Sequence, residues 1–325
     1  MNETVDQHYV PRTHMKHFSV KRDNNYFIHA AGVPCTDNAP IKEVNIKKIC
    51  FEKHLYTLPG ATVEERMFLE RIYSDVFEND YDKLYEMLTD KGKIKITQAE
   101  REFAISTVIA MYYRTTNWNR FAYRVMDDII ERGYYMAKQS PHDHFMMEGR
   151  KISIVNKTVE QLKEEHRRET KTLIALNQLR HIMKLTRIRS LADGLMITKL
   201  TSATDEFLTS DNPVECNNIH QGHIVPIDPS NTFSLPLDPK HHLTIIPNDR
   251  PEWRFIIRRD EYDHSCSLLP MLGLNRGQEK NAQKFLLGSR AGLITYFNSK
   301  KEIESTEPND RVIKARKLIE VFAKL

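Results

Sequence analysis

The stretch TQAEREFAISTVIAMYYR, residues 97–114, is the segment of the sequence that most clearly indicates the fold. Thr97 and Glu100 form a capping box, in which each side chain accepts a backbone N–H at the start of a helix. From Phe103 to Tyr113 the helix is apolar on nearly every side, which is typical of a helix surrounded by other elements. We therefore predict a central helix that ends at a single cation, Arg114.

A second helix precedes the central one. Thr62 and Glu65 form another capping box, which predicts a helix from there to about residue 88. Apolar residues recur on it at steps of three and four, and Glu70 falls on the same stripe. The pattern therefore points a carboxylate towards the core.

A third, highly charged helix is predicted over residues 157–185. Its Lys, Arg and Glu residues are typical of a solvated face. The residues predicted to face inward are Val159, Leu162, Leu173, Leu176, Leu179 and Met183.

The two flanks of this helical middle have a different pattern. Residues 1–60 are irregular with short strands, and residues 191–325 show short extended pieces punctuated by proline. In the second flank we expect a strand at 224–227, a helix at 278–287, a strand at 291–297 and a closing helix at 311–324. Strands do not alternate with helices there, which favours an antiparallel sheet over a doubly wound one.

The predicted fold is therefore α+β: a helical middle (61–190) packed on a small, mainly antiparallel sheet from the N-terminal and C-terminal segments. We expect residues 1–325 to form a single domain. The formal charge of +4 is far below that of a dedicated nucleic-acid binder. No segment has the length of a membrane span or the pattern of a signal peptide, so we expect a cytoplasmic protein that does not associate with membranes.

Two polar segments are the candidates for chemistry. The first is HYVPRTHMKHF, residues 8–18, which places histidines, an aromatic and basic residues at a terminus that would ordinarily be featureless. The second is FLTSDNPV, residues 207–214, where an apolar strand ends in Ser210, Asp211 and Asn212 before a proline. The same Asp-Asn-Pro is also an ordinary way to end a strand, because Asp and Asn bond their own backbone in turns.

These segments resemble a bacterial family catalogued as domain of unknown function 4238. The resemblance rests on His8-Tyr9-Val10-Pro11 followed by Met15 and Phe18, on Glu70, on Arg114-Thr115-Thr116, on the TSDNP segment 209–213, and on 234–237 and 274–275. Thr116 stands where the family pattern has proline, and Met15 where it usually has leucine. The resemblance implies no established activity, but it favours a role in bacterial antiphage defence.

Our first hypothesis is a metal-dependent phosphodiesterase or nuclease. His8, Glu70 and Asp211 would be the catalytic residues, and Glu70 and Asp211 would hold Mg²⁺ or Mn²⁺ and lower the pKa of a bound water. The residues predicted to bind the nucleic acid or nucleotide are Tyr9, Arg12, Arg114, Ser210 and Asn212. If Asp211 is catalytic, alanine there should abolish activity and leave the melting temperature nearly unchanged.

The alternative is a non-catalytic module that binds a nucleotide or a protein and acts as a sensor. In that case His8 caps a turn, Glu70 pairs with Arg114 inside the protein, and Asp211 only shapes a turn. Glycine-rich phosphate loops, HExxH and GxSxG are absent from the sequence, which disfavours nucleoside triphosphatases, dinucleotide oxidoreductases, zinc proteases and α/β-hydrolases.

Overall fold

A computed structural model describes residues 3–35, 40–147, 149–218, 228–264, 266–305, 310 and 313–314. Its helices are α1 (Arg12–Lys16), α2 (Val63–Arg66), α3 (Phe68–Ile72), α4 (Tyr81–Thr89), α5 (Gln98–Arg114), α6 (Thr116–Lys138), α7 (Val159–Ala192), α8 (Leu268–Asn281) and α9 (Arg290–Ser305). In this part of the chain, no helix is both long enough and apolar enough to cross a membrane.

The central helix is confirmed as α5. Its capping box between Thr97 and Glu100 is present, and the helix is buried along most of its length. Helices α6 and α7 lie beside it, and Gln178 of α7 donates to the backbone oxygen of Tyr113 at 3.0 Å. The apolar run in the sequence therefore placed the middle of the core correctly.

The helix predicted from Thr62 to about residue 88 is divided into four pieces. The Thr62 capping box is present, but α2 and α3 are short, and a π-helical segment, Tyr73–Glu78, separates them from α4. A π-helical turn holds an extra residue and shifts every later side chain around the axis. For this reason one continuous 3.6-residue stripe does not describe the region.

Helix α7 is longer than predicted, and three of the residues expected to face inward do not. Leu173, Leu176 and Met183 are 52%, 40% and 64% exposed. The buried face instead carries Ala175, Gln178, Ile182, Leu185 and Arg189. Three of these buried residues are not large and apolar: Ala175 is small, and Gln178 and Arg189 are polar. Hydropathy alone therefore misassigned the inward positions at Leu173, Leu176 and Met183.

The strands are β1 (Asp6–His8), β2 (Val20–Arg22), β3 (Asn25–Gly32), β4 (Lys42–Asn45), β5 (Phe51–Lys53), β6 (His144–Met147), β7 (Arg150–Ser153), β8 (Gly194–Leu200), β9 (Thr209–Ser210), β10 (Glu215–Asn217), β11 (Thr232–Pro236), β12 (His241–Ile246), β13 (Ile257–Tyr262) and β14 (Phe285–Gly288).

Two five-stranded sheets flank the helices. The first has the order β2-β3-β14-β9, with β4 also paired to β3, and is antiparallel throughout. It joins strands from both ends of the chain, since Ala31 lies opposite Leu286. The second has the order β10-β11-β12-β8-β13, and only its β8–β13 pair is parallel. The α+β class with mainly antiparallel sheets is confirmed, although the described residues form these two sheets and two antiparallel pairs, β1–β5 and β6–β7, instead of one small sheet.

Two predictions near the C-terminal end are wrong. The end of the helix predicted at 278–287 is the strand β14, and the strand predicted at 291–297 is the helix α9. Ser289 accepts the backbone N–H of Gly292 at 2.9 Å, which is a helix-capping contact that β-branched and aromatic residues in the stretch concealed. The strand predicted at 224–227 lies outside the described residues, as does nearly all of the helix predicted at 311–324.

Candidate functional site

Arg114 is the centre of a polar cluster buried where α5 ends. It is 2% exposed, and its guanidinium lies over the rings of Tyr73 and Tyr56 at 4.9 and 5.6 Å. One terminal nitrogen donates to Glu78 Oε1 at 2.5 Å and the other to the backbone oxygen of His8 at 2.6 Å. Burial opposes the charge, but Glu78 and Tyr56 raise the pKa of Arg114 above its usual value.

Glu70 of α3 is the most chemically unusual member of this cluster. Within the described part of the chain, its buried Oε2 has no hydrogen-bond partner. Burial raises the pKa of Glu70 to about 7, Arg114 lowers it in part, and the nearby Glu78 raises it further. A carboxyl group with this pKa exchanges its proton near neutral pH, which is what general acid–base catalysis requires.

His8 lies on the same side of the molecule, on β1. Its Nε2 is 3.2 Å from the backbone oxygen of Ile46, and its ring is tilted against Phe51 at 5.5 Å. Burial lowers the pKa of His8, and the positive charge of Arg12 lowers it further. The imidazole is therefore neutral at physiological pH. We call His8, Glu70, Glu78 and Arg114 the Arg114 cluster.

A polar cleft of about 400 Å³ opens beside this cluster, and Glu78 lines it. Arg12, Lys16 and Lys47 place three positive charges around the cleft. Ser74 and Glu78 reach it from the π-helical segment, a type of backbone that occurs frequently at functional sites. We call this cavity the Arg12 cleft, and its charge suits a phosphate or carboxylate group.

The TSDNP segment forms a separate cluster at the edge of the first sheet. Both carboxylate oxygens of Asp211 accept backbone N–H groups, from Gln283 at 2.8 Å and Lys284 at 2.9 Å. Asp211 is 2% exposed, and burial raises its pKa although these backbone N–H groups oppose the rise. Asp211 therefore fixes the chain at the start of β14, so we now expect its replacement by alanine to lower the melting temperature.

Ser210 and Asn212 attach the same segment to α8. The hydroxyl of Ser210 donates to Gln278 Oε1 at 3.0 Å. Asn212 and Asn281 exchange side-chain to backbone hydrogen bonds at 3.1 and 2.5 Å. Both predicted substrate-binding residues therefore use their side chains to hold the strand to the helix. Asn212 Oδ1 is the exception, because it has no hydrogen-bond partner among the described residues.

The two polar segments do meet, but through His14 and not through His8. His14 is fully buried, with Nδ1 2.8 Å from the Tyr81 hydroxyl and Nε2 3.0 Å from the Thr209 hydroxyl. Burial lowers the pKa of His14 to about 3, so the ring is neutral. No pattern in the sequence distinguished His14, because its hydrogen-bond partners Tyr81 and Thr209 lie 67 and 195 positions away along the chain.

Tyr9 belongs to a further cavity, of about 530 Å³, on the other side of β1. Its ring is 2% exposed, and burial raises its pKa, with Cys50 adding to the rise. Lys42, Lys48 and Lys284 also line this cavity. Tyr9 is thus close to the Asp211 segment through Lys284, and it is not among the residues that line the Arg12 cleft.

A family model described as protein of unknown function (DUF4238) matches residues 6–291. The chain belongs to the DUF4238 family. No curated protein and no solved structure matches it. The resemblance to this family is therefore borne out over most of the chain, and the family description adds no activity.

In this DUF4238 protein the predicted site residues fall into two groups. His8 and Glu70 each interact with Arg114 and Glu78, and Glu78 and Arg12 line the adjoining Arg12 cleft. Ser210, Asp211 and Asn212 form the other group, whose contacts are with α8 and β14. Among the residues that the structure describes, no three His, Cys, Asp or Glu side chains are placed to hold a metal ion.

Proposed function

We propose that this protein hydrolyses a phosphodiester bond of a nucleotide or nucleic acid at the Arg114 cluster. Glu70 carries the proposal: its carboxyl group has a pKa of about 7 and a buried oxygen free of partners in the described chain. It is the group suited to take a proton from an attacking water. Arg12 and Lys16 in the adjoining cleft supply the charge that holds a phosphate.

The metal dependence of the reaction is part of the proposal. Mg²⁺ commonly binds through one or two carboxylates together with substrate phosphates and several waters, and a Mg²⁺ bound directly to Glu70 would lower the pKa of that carboxyl group. In the form that we favour, the metal would be held by the substrate phosphate and water, and Glu70 would act as the base. Glu70 and Asp211 as a pair of metal ligands stay a prediction. Because both oxygens of Asp211 already accept backbone N–H groups, the form that we favour depends on Glu70.

The test is turnover by the purified protein. Single-stranded DNA, RNA and a cyclic nucleotide are incubated with it in Mg²⁺, in Mn²⁺ and in EDTA. We expect cleavage of at least one substrate, loss of cleavage in Glu70→Gln, and unchanged cleavage in Glu64→Gln, whose side chain is 62% exposed on the neighbouring α2. Activity in the wild type that Glu70→Gln retains in full would refute the role of Glu70.

A second candidate is a nucleotide-binding sensor without turnover. It is favoured by one observation: both terminal nitrogens of Arg114 already donate, to Glu78 and to the His8 backbone, so neither is left to bind a reacting phosphate. Binding of a nucleotide in the Arg12 cleft without cleavage in any of the three conditions would select this candidate. Growth arrest on expression, relieved by Glu70→Gln, would instead favour the enzyme and the expected part in antiphage defence.

A further inference from the structure

A groove of about 660 Å³ runs along the first turns of α6, apart from the Arg12 cleft. Trp118 and Phe121 provide its aromatic wall, and Arg120, Arg124 and Arg167 its positive charge. We call it the aromatic groove. Neither the Arg114 cluster nor the proposed hydrolysis uses any of these side chains.

The aromatic wall is rigid and partly open. The Trp118 indole is held edge-on by Tyr113, with centroids 4.7 Å apart at 79°, and by His181, at 6.0 Å and 87°. Phe121 is 47% exposed and lies 5.8 Å from Trp118 at 35°. Two neighbouring rings whose faces are fixed by packing form a platform on which a planar base can stack.

The groove is also positively charged. Three guanidinium groups line it, those of Arg120, Arg124 and Arg167. Asp127 accepts two hydrogen bonds from Arg167, and Glu52 accepts one from Arg120 at 3.4 Å, so among the described residues these arginines outnumber the carboxylates bound to them by one. Arg124 lies over the Phe121 ring at 6.0 Å, so charge and aromatic face are presented together.

Arg120 is oriented by the TSDNP segment. It donates to the side-chain oxygen of Gln283 at 2.8 Å, and Asp211 holds the backbone N–H of Gln283 at 2.8 Å. Thr116, from the Arg114-Thr115-Thr116 motif, donates to the same Gln283 oxygen at 3.0 Å. Asp211 and Thr116 therefore both hold Gln283, and through it Arg120, at this groove, although neither residue lines the Arg12 cleft.

We propose that the aromatic groove binds single-stranded nucleic acid, with a base stacked on Trp118 and Phe121 and the backbone phosphates on Arg120 and Arg124. Aromatic platforms beside arginines are how proteins bind single strands without reading their sequence. A duplex does not fit this chemistry, because its bases are already stacked on each other and cannot lie on side chains. The proposal concerns binding, and it holds whether or not the Arg114 cluster hydrolyses the strand.

Trp118 itself can report the binding. The chain has two tryptophans, and the other, Trp253, lies between Arg250 and Arg258 at 4.7 and 4.5 Å. In a Trp253→Phe background the fluorescence comes from Trp118 alone. We expect a short deoxythymidine or uridine oligomer to quench it, and a duplex of the same length to leave it unchanged.

Variants at the exposed positions test the geometry without disturbing the core. Phe121→Ala should weaken oligomer binding roughly 5- to 150-fold, which is the range for losing one stacking contact. Arg124→Ala removes a phosphate contact, so it should weaken binding and make its salt dependence shallower. The matched controls on α6 are Ile129→Ala, 44% exposed, and Arg132→Ala, both outside the groove, and they should bind as the parent does. For the two phosphates held by Arg120 and Arg124, the logarithm of the binding constant should fall with the logarithm of salt concentration with a slope of about −1.4.

Three results would overturn the proposal: no quenching of Trp118 by any oligomer, equal affinity of a mononucleotide and an oligomer, or unchanged binding in both Phe121→Ala and Arg124→Ala. Oligomer binding is also measured in Glu70→Gln. Because that residue lies outside the groove, binding there should equal that of the parent, so a failure of hydrolysis and a failure of strand binding are observed separately.

Discussion

Replacing Glu70 by glutamine should stabilise the protein by an amount that grows from about pH 4.5 to about pH 7 and is largest above that. Burial raises the pKa of this carboxyl group from 4.5 to about 7, so the folded state retains a proton that the unfolded state has lost. The stability associated with that proton is fully present below the unfolded pKa of 4.5 and is lost as the pH rises through about 7. Glutamine resembles the protonated carboxyl group at every pH, so it avoids this loss.

The magnitude follows from the pKa. One pKa unit corresponds to about 1.36 kcal/mol, so the change from 4.5 to about 7 sets an upper bound of about 3 kcal/mol. Glu70 is partly exposed, and solvent screens its charge, so we expect about 1–2 kcal/mol. The same carboxylate is the proposed base, so this gain in stability should accompany a loss of turnover, as in other active sites that trade stability for function.

Urea denaturation of the wild type, Glu70→Gln and the exposed control Glu64→Gln at several pH values measures this difference. We expect the Glu70→Gln minus wild-type free energy of unfolding to be near zero at about pH 4 and to grow between about pH 5 and 8. The Glu64→Gln difference should stay flat. A Glu70→Gln difference that does not vary with pH, or that falls as pH rises, would refute the assignment of a raised pKa to Glu70.

Three other predictions concern hydrogen bonds and ion pairs inside the protein. Asp211→Ala should lower the free energy of unfolding by about 2–4 kcal/mol, because two buried backbone N–H groups lose their acceptor; an unchanged urea midpoint would contradict this. Arg114→Met should lower the free energy of unfolding by about 3–5 kcal/mol, because it leaves Glu78 partly buried without its partner. Adding Glu78→Gln to this variant should recover part of the loss, which a double-mutant cycle measures. The ring of His14, with its pKa lowered to about 3, should show no titration by NMR between about pH 5 and 8, whereas a midpoint in that window would mean that the ring reaches water.

The sequence placed the core more reliably than the site. The α5 helix was predicted from its capping box and continuous apolar run, because both signals are local and independent of the rest of the chain. The neighbouring α7 was also found, and Val159 and Leu162 are buried as predicted, but Leu173, Leu176 and Met183 are exposed. Which side of a long charged helix is buried depends on Gln178 and Arg189 finding backbone acceptors on other elements, and hydropathy does not contain that information.

The two polar segments show the same division between local and distant information. Their composition singled them out as candidates for chemistry, which stays a prediction, and both segments lie within the family match over residues 6–291. Their roles could not be derived from composition, because an Asp at the end of a strand can bind either a ligand or the protein backbone. For Asp211 the backbone N–H groups that it binds belong to Gln283 and Lys284, which lie 72 and 73 positions away. The pairing of His14 with Thr209 was missed for the same reason.

By itself, then, the sequence determined the α+β class, the central helix and the residue types available for chemistry, since these depend on local propensity and hydrophobic pattern. Tertiary structure alone decided that Glu70 stands beside Arg114, that Asp211 is bound by the backbone of β14, and that arginines and aromatic rings share one groove on α6. The pKa of a carboxyl group and the partners of a buried ion are set by what surrounds them in space, and those surroundings come from parts of the chain far apart in sequence.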